Sequence, residues 1–137
     1  MPPDPHNLRF YADESILGVG KALAMARRDV IYPGHALLPE IPVGTLDPDW
    51  MPAVAARGLV VLGRDRRIRT KPAELATLRA HGLRVFWIAG KRDLTSWGYL
   101  VRLVSNWEAI ERIVAARGPG PWFMAIGEAS ISEIPMP

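Results

Sequence analysis

Residues 60–74, VVLGRDRRIRTKPAE, decide how the chain is read. The apolar run LVVLG at 59–63 has the length and β-branched content of a strand covered on both faces. Just past it stands a lone acid, Asp65, set among Arg64, Arg66, Arg67 and Arg69. A helix pattern follows over 71–82, with Pro72 near its start and Gly82 as its stop. A strand that feeds a helix in this way is one unit of an α/β fold. The same loop poses a chemical question. A carboxylate at a strand tip inside a basic run belongs either to a salt-bridged turn or to a metal site beside a bound polyanion.

Outward from this segment the unit repeats. LRFYADE at 8–14 reads as a strand that ends on two acids. Residues 15–28 follow with helical spacing, Ile16, Val19, Leu23 and Ala26 forming one stripe and Ser15 standing at the N-cap. DVIYPGH at 29–35 is a short second strand stopped by Pro-Gly, and 36–44 is a loop holding Pro39 and Pro42. Residues 46–58 carry helix punctuation: Asp47 at the N-cap, Pro48 at the first helical position, Gly58 past the end. Pro52 sits late and makes the first turn irregular. LRVFWIAG at 83–90 is another buried strand. Residues 95–118 form the longest helix, with Leu100, Leu103, Trp107, Ile110 and Val114 on one stripe. Residues 121–134 close the chain as a final strand, hairpin or edge.

Strands alternating with helices imply a mostly parallel sheet with helices on both faces. Ligands of such sheets bind outside the carboxyl ends of the strands. Asp13 and Asp65 fall at such ends, and Asp47 opens the helix that leads into the Asp65 strand. With 137 residues the chain is expected to form one domain with an ordered core at about 8–134. It has no cysteine, so disulfides, thiolate metal sites and cysteine nucleophiles are excluded. The N-terminus MPPDPHNLRF lacks an apolar signal segment, and no apolar run reaches the ~20 residues of a membrane span. A cytoplasmic protein without membrane contact is expected. The net charge is +3, the pI is about 9.7, and 14 of the 17 basic residues are arginine, whose fork matches phosphate oxygens.

Three carboxylates within about 5 Å of one another would repel by roughly 3 kcal/mol per ionised pair at an effective dielectric near 20. The total, about 10 kcal/mol, rivals the stability of a domain. Such a cluster must protonate, spread or hold a cation, and an oxygen-only site suits Mg²⁺ or Mn²⁺. Each acid also has a local reading. Asp13 terminates a strand and caps the next helix; Glu14, Asp49 and Glu74 are helix-start charges. Asp47 is an N-cap, Asp65 a partner of the flanking arginines, and Asp93 with Thr95 a capping pair. The basic run from Arg64 to Lys71 is a solvated turn unless it holds a phosphodiester. His6, His35 and His81 are scattered, so no zinc site is expected. Ser15, Ser96 and Ser105 lack a nucleophile context. Gly18-Val19-Gly20 lacks the third glycine of a dinucleotide loop. Trp87 and Trp107 read as core, and Trp50 and Trp97 as core or as base-stacking platforms.

FYADE after the first strand, DPDW opening a helix, and GLVVLGRDRRIR together resemble the small PIN-like nucleases. They are most similar to the VapC-type toxins of bacterial toxin–antitoxin modules. In those proteins an Asp closes the first strand, a second acid opens a helix, and a third follows the next strand. A short PIN-like subfamily shows D-x-x-I/W and then an Asp eighteen residues later. Here Trp50 holds the +3 position and Asp65 follows Asp47 by eighteen residues, which ranks Asp47 above Asp49. The resemblance covers about 8–134. It implies a PIN-like three-layer α/β sandwich and a divalent-metal endoribonuclease whose catalytic metal ligands are Asp13, Asp47 and Asp65. Asp49, Glu14 and Glu74 are the weaker candidates, and Asp93 is an imperfect fourth acid. Mg²⁺ or Mn²⁺ would be the cofactor, RNA the substrate, an antitoxin and a second copy the partners. Arg64, Arg67, Arg69 and Lys71 would steer the RNA strand. Two other classes stay open. One is a non-catalytic RNA-binding or regulatory protein of the same fold. The other is a phospho-receiver-like domain using Lys91, which lacks an acid at the end of the middle strand.

Overall fold

The apolar runs become six strands: β1 (Phe10–Ala12), β2 (Val30–Ile31), β3 (Val60–Gly63), β4 (Arg84–Ile88), β5 (Trp122–Ile126) and β6 (Ile131–Ile134). Between them lie α1 (Leu17–Ala26), α2 (Asp47–Ala56), α3 (Pro72–Ala80), α4 (Ser96–Ser105) and α5 (Trp107–Arg117). The computed structural model describes residues 7–64, 71–90 and 92–135. Asp65, Arg66, Arg67, Arg69 and Lys91 lie outside the described residues.

The strands form one sheet in the order β2-β1-β3-β4-β5-β6. All neighbouring pairs are parallel except β5 and β6, which form an antiparallel hairpin. Alternation along each strand splits the core in two. On one face Phe10, Ala12, Val60, Leu62, Phe86 and Ile88 meet α1, α4 and α5 through Val19, Leu23, Tyr99, Leu103 and Ile110. On the other, Tyr11, Ile31, Val61, Val85, Trp87 and Phe123 meet α2 and α3 through Trp50, Met51, Val54, Leu75 and Leu78. Every strand from β1 to β5 is thus buried on both sides, which is why these runs are continuously apolar rather than alternating. Three layers result, as expected.

The order places the site. From β1 the chain crosses to β2 on one side, then returns past β1 to β3 on the other. Crossovers diverge between β1 and β3 and leave a crevice at their carboxyl ends. Asp13 follows β1 there, and the basic segment leaves β3 there.

Several local expectations change. The helix expected over 95–118 is two helices, broken at Asn106, which is buried and donates from Nδ2 to the carbonyls of Arg102 (2.7 Å) and Gly127 (3.3 Å). Its tertiary bond to the β5–β6 turn competes with a continuous helix, as amide side chains do. Asp47 is not the N-cap of α2. Leu46 holds that position with extended backbone, and Asp47 is the first helical residue. Ser15 is not a cap either: Asp13 caps a 3₁₀ turn, Glu14–Ile16, which precedes α1. The stops at Gly58 and Gly82 hold, with φ of +66° and +64°, a region that favours glycine.

Candidate active site at the carboxyl end of the sheet

Asp13 is 3 % exposed. Its amide continues the β1–β3 ladder by donating to the Leu62 carbonyl at 2.9 Å. Its Oδ1 accepts from the Ser15 amide at 3.0 Å and from the Ser15 hydroxyl. The 3₁₀ turn thereby aims the carboxylate along the sheet end instead of into the core. Room for it comes from Gly63, the last residue of β3: a Cβ there would stand 2.5 Å from Asp13 Oδ2 and 2.9 Å from Cγ.

Asp47 starts α2, and its Oδ1 accepts from the indole Nε1 of Trp50 at 2.9 Å. Trp50 is itself core, stacked obliquely on Tyr11 with centroids 5.1 Å apart. The indole therefore fixes Asp47 from below while contributing to the core. Glu14, exposed, accepts the Gly44 amide on Oε1 at 2.7 Å and so ties the 3₁₀ turn to the loop before α2. Together Asp13, Glu14, Ser15, Gly44, Thr45, Leu46 and Asp47 line a cleft of about 360 Å³.

The Tyr11 hydroxyl reports the charge of this region. Burial pushes its pKa up, and the carboxylates of Asp13, Glu14 and Asp47 push it further the same way. One tyrosine in β1 thus senses three acids brought together from segments separated by more than thirty residues in sequence. Among the described residues, however, no group of three His, Asp or Glu side chains is arranged to hold a metal ion. The donor set is right in kind for a hard divalent cation, being carboxylate oxygen with a threonine beside it. Its number of ligands does not reach three without Asp65, which lies outside the described residues.

The other candidates separate. Asp49 is exposed on the first turn of α2 and does not line the cleft. Glu74, on the first turn of α3, has Oε1 3.6 Å from Lys71 Nζ, and its Oε2 is buried without a hydrogen-bond partner among the described residues. It is not part of the cleft lining. Asp93 is 94 % exposed on its side chain, 3.6 Å from Arg64. Lys71 is half-exposed. Trp97 is 72 % exposed, in contrast to Trp50 and Trp87.

Arg64 requires a correction. The sequence reading assigns it to RNA binding, yet it is 7 % exposed. Nε donates to Tyr99 Oη at 3.1 Å, and Nη2 to the carbonyls of Gly90 (3.1 Å) and Arg92 (3.0 Å). Its fork is turned inward, and basic sequence context could not reveal acceptors that come from 26 to 35 residues away. Gly63 and Ser15 were likewise missed as site residues. Gly63 was legible only as the glycine closing the LVVLG run.

A family model described as a PIN-like domain matches residues 8–90. No curated protein and no solved structure matches the chain. The matched stretch runs from the approach to β1 through the end of β4. It contains Asp13, Asp47 and Asp65 and more than half of the residues. With the three-layer sheet and the acidic crevice at the β1–β3 switch, this match establishes that the chain belongs to the PIN-like domain family, a nuclease-type fold.

Proposed function

We propose that the protein is a divalent-metal-dependent endoribonuclease and the toxin of a toxin–antitoxin pair. The observation that carries the reading is the gathering of Asp13, Glu14 and Asp47 about one cleft beside the exit of β3. Asp13 and Asp47, with Asp65, would hold Mg²⁺ or Mn²⁺. When bound, such an ion supplies a Lewis acid for phosphoryl oxygens and acidifies coordinated water. The chain's own residues prepare the site. Gly63 leaves space for the Asp13 carboxylate, Ser15 orients it, and Trp50 orients Asp47. The Glu14–Gly44 bond shapes the outer wall. Arg67, Arg69 and Lys71 would draw the RNA backbone toward these acids by phosphate contacts that position without reading sequence. An antitoxin and a second copy of the chain are the partners this reading entails, and the cytoplasm is where its RNA substrate would be met.

A second reading is a non-catalytic RNA-binding protein of the same family. It is favoured by the lack, among the described residues, of a three-carboxylate group.

The test is cleavage of a labelled RNA by purified protein with Mg²⁺ or Mn²⁺ and with EDTA. Asp13→Asn, Asp47→Asn and Asp65→Asn are each expected to lose at least about a hundredfold in rate. Near-UV circular dichroism should stay that of the parent. RNA binding that survives EDTA, with no cleavage under any metal, would establish the second reading instead. Coexpression with the adjacent reading frame should relieve growth arrest if the toxin assignment holds.

A further inference from the structure

We infer that Arg64 is a positioning residue, a buried clasp that sets where the chain leaves β3 relative to Asp13; its catalytic consequence rests on the nuclease reading above. Four contacts define the clasp. The Arg64 amide donates to Ser15 Oγ at 2.8 Å, and that hydroxyl donates to Asp13 Oδ1. The guanidinium reaches the opposite way, to Tyr99 Oη and to the carbonyls of Gly90 and Arg92. Tyr99 Oη also accepts the Leu94 amide at 3.0 Å. A continuous polar chain therefore runs from the β1 exit, through the β3 exit, to the β4–α4 loop and α4. Asp65 is the residue that follows this anchor in sequence.

The chemistry argues for position over charge. A buried guanidinium is unfavourable unless fixed acceptors satisfy it, and its planar fork dictates where they stand. Asp93, 3.6 Å away and almost fully exposed, is screened by water and neutralises little. The satisfying groups are instead one phenol and two backbone carbonyls, all held by the core and the adjoining loop. Tyr99 is 9 % exposed and packs with Leu103 and Ile110. An arginine meant to meet phosphate would keep its fork toward solvent. This one turns it onto two segments of its own chain, the β4–α4 loop and α4. Ångström-scale misplacement of a reacting group costs on the order of a hundredfold in rate, so an anchor joined through Ser15 to the Asp13 carboxylate has leverage on turnover.

The experiment uses the full chain and two variants, Tyr99→Phe and Arg64→Lys. Tyr99→Phe removes one oxygen and keeps the ring; Arg64→Lys keeps the charge and loses the fork. Three quantities are read: Mn²⁺ affinity by electron paramagnetic resonance, hydrogen exchange of the Arg64 amide, and kcat and KM on a fixed single-stranded RNA with Mg²⁺. Both variants should lower kcat about 10- to 100-fold with KM within about twofold. Mn²⁺ affinity should fall about fivefold or more, and Arg64 amide exchange should quicken at least about tenfold. Unchanged kcat and exchange in both variants, with Asp13→Asn inactive, would overturn the inference and leave the nuclease reading standing. A rise in KM and a shallower salt dependence at constant kcat would also overturn it, making Arg64 a phosphate ligand. If the parent protein neither binds Mn²⁺ nor cleaves RNA, the nuclease reading fails. The anchoring of the β3 exit is then decided by exchange alone, upheld by faster exchange in Tyr99→Phe and refuted by none.

Discussion

The α-carbon of Gly63 faces the Asp13 carboxylate so closely that a Cβ there would stand 2.5 Å from Oδ2. Backbone of β3 and side chain of β1 share one space, and only a residue without a Cβ leaves it to the acid. Gly63→Ala is therefore expected to push the carboxylate from its place while the sheet survives. Overpacking of this kind costs roughly 1–3 kcal/mol. Cleavage should drop on the order of a hundredfold, because the proposed nuclease holds its metal with the displaced group. Parallel urea melts and RNA cleavage assays check both halves; a Gly63→Ala protein with parental turnover would remove Asp13 from the site.

Metal should stabilise the fold through the same acids. A ligand at a hundred times its dissociation constant adds about 2.7 kcal/mol. For a chain of this length that raises Tm by roughly 9 °C. Mg²⁺ or Mn²⁺ titrated into a thermal melt should produce this rise in the parent protein and none in Asp13→Asn, with EDTA reversing it.

The bond from Trp50 Nε1 to Asp47 Oδ1 isolates orientation from burial. Trp50→Phe keeps most of the ring and deletes the donor. A loss of about 1 kcal/mol in stability is expected for the bond, with further loss from the smaller ring. Cleavage should fall several-fold through kcat, with KM for RNA unchanged. Steady-state kinetics on one RNA substrate check the split.

At the other end of the sheet, Asp29 contributes to the acid limb of stability. Burial alone would raise its pKa, but Arg27 and Arg9 outweigh burial and hold the carboxyl below its usual range. The Arg27 contacts measure 2.9 and 2.8 Å, and that of Arg9 3.1 Å. The folded form thus binds the proton less readily than the unfolded chain. Its contribution is complete above the unfolded pKa of about 3.9 and fades as pH falls through the lowered folded value. Asp29→Asn should cost roughly 1–2 kcal/mol at neutral pH, the partners being partly exposed. The same variant should flatten the fall in urea midpoint below about pH 4.

Phosphate steering by the basic run is tested by salt. Each single-strand phosphate contact contributes about 0.7 to the slope of log affinity against log salt. Alanine at Arg67, Arg69 and Lys71 should each reduce the slope by about that amount in an EDTA-treated binding assay. Asp49→Asn should leave the slope close to that of the parent.

Much of the architecture could be read from the chain, and the misses have physical causes. The runs at 59–63 and 83–90 had no polar face to show, which marks strands covered twice, and both are central. Gly58 and Gly82 end helices by a backbone geometry that the residue type announces. The break at Asn106 could not be seen, because Leu103, Trp107 and Ile110 keep a helical rhythm across it. Its cause is a bond to Gly127, 21 residues on. In the site, Asp13 and Asp47 were visible because a strand tip and a helix start are local features. The inward turn of Arg64 and the cradle at Gly63 arise only from segments meeting in space. Trp50 reads as core ahead of a base-stacking platform, and the structure places it in the core against Tyr11, a neighbour far away in sequence.

The strand order also divides labour along the chain. Among the described residues, the acids of the cleft come from the exit of β1, the 3₁₀ turn after it and the start of α2, whereas α4, α5, β5 and β6 supply none of its lining. Yet that last third supplies Tyr99, Leu103, Ile110, Trp122, Met124 and Ile126 to one face of the sheet, and the hydroxyl that fastens Arg64. A chain cut after Gly90 would keep the cleft carboxyls and lose the roof over β1, β3 and β4. The C-terminal segment therefore closes one face of the core on which the acid-bearing strands rest.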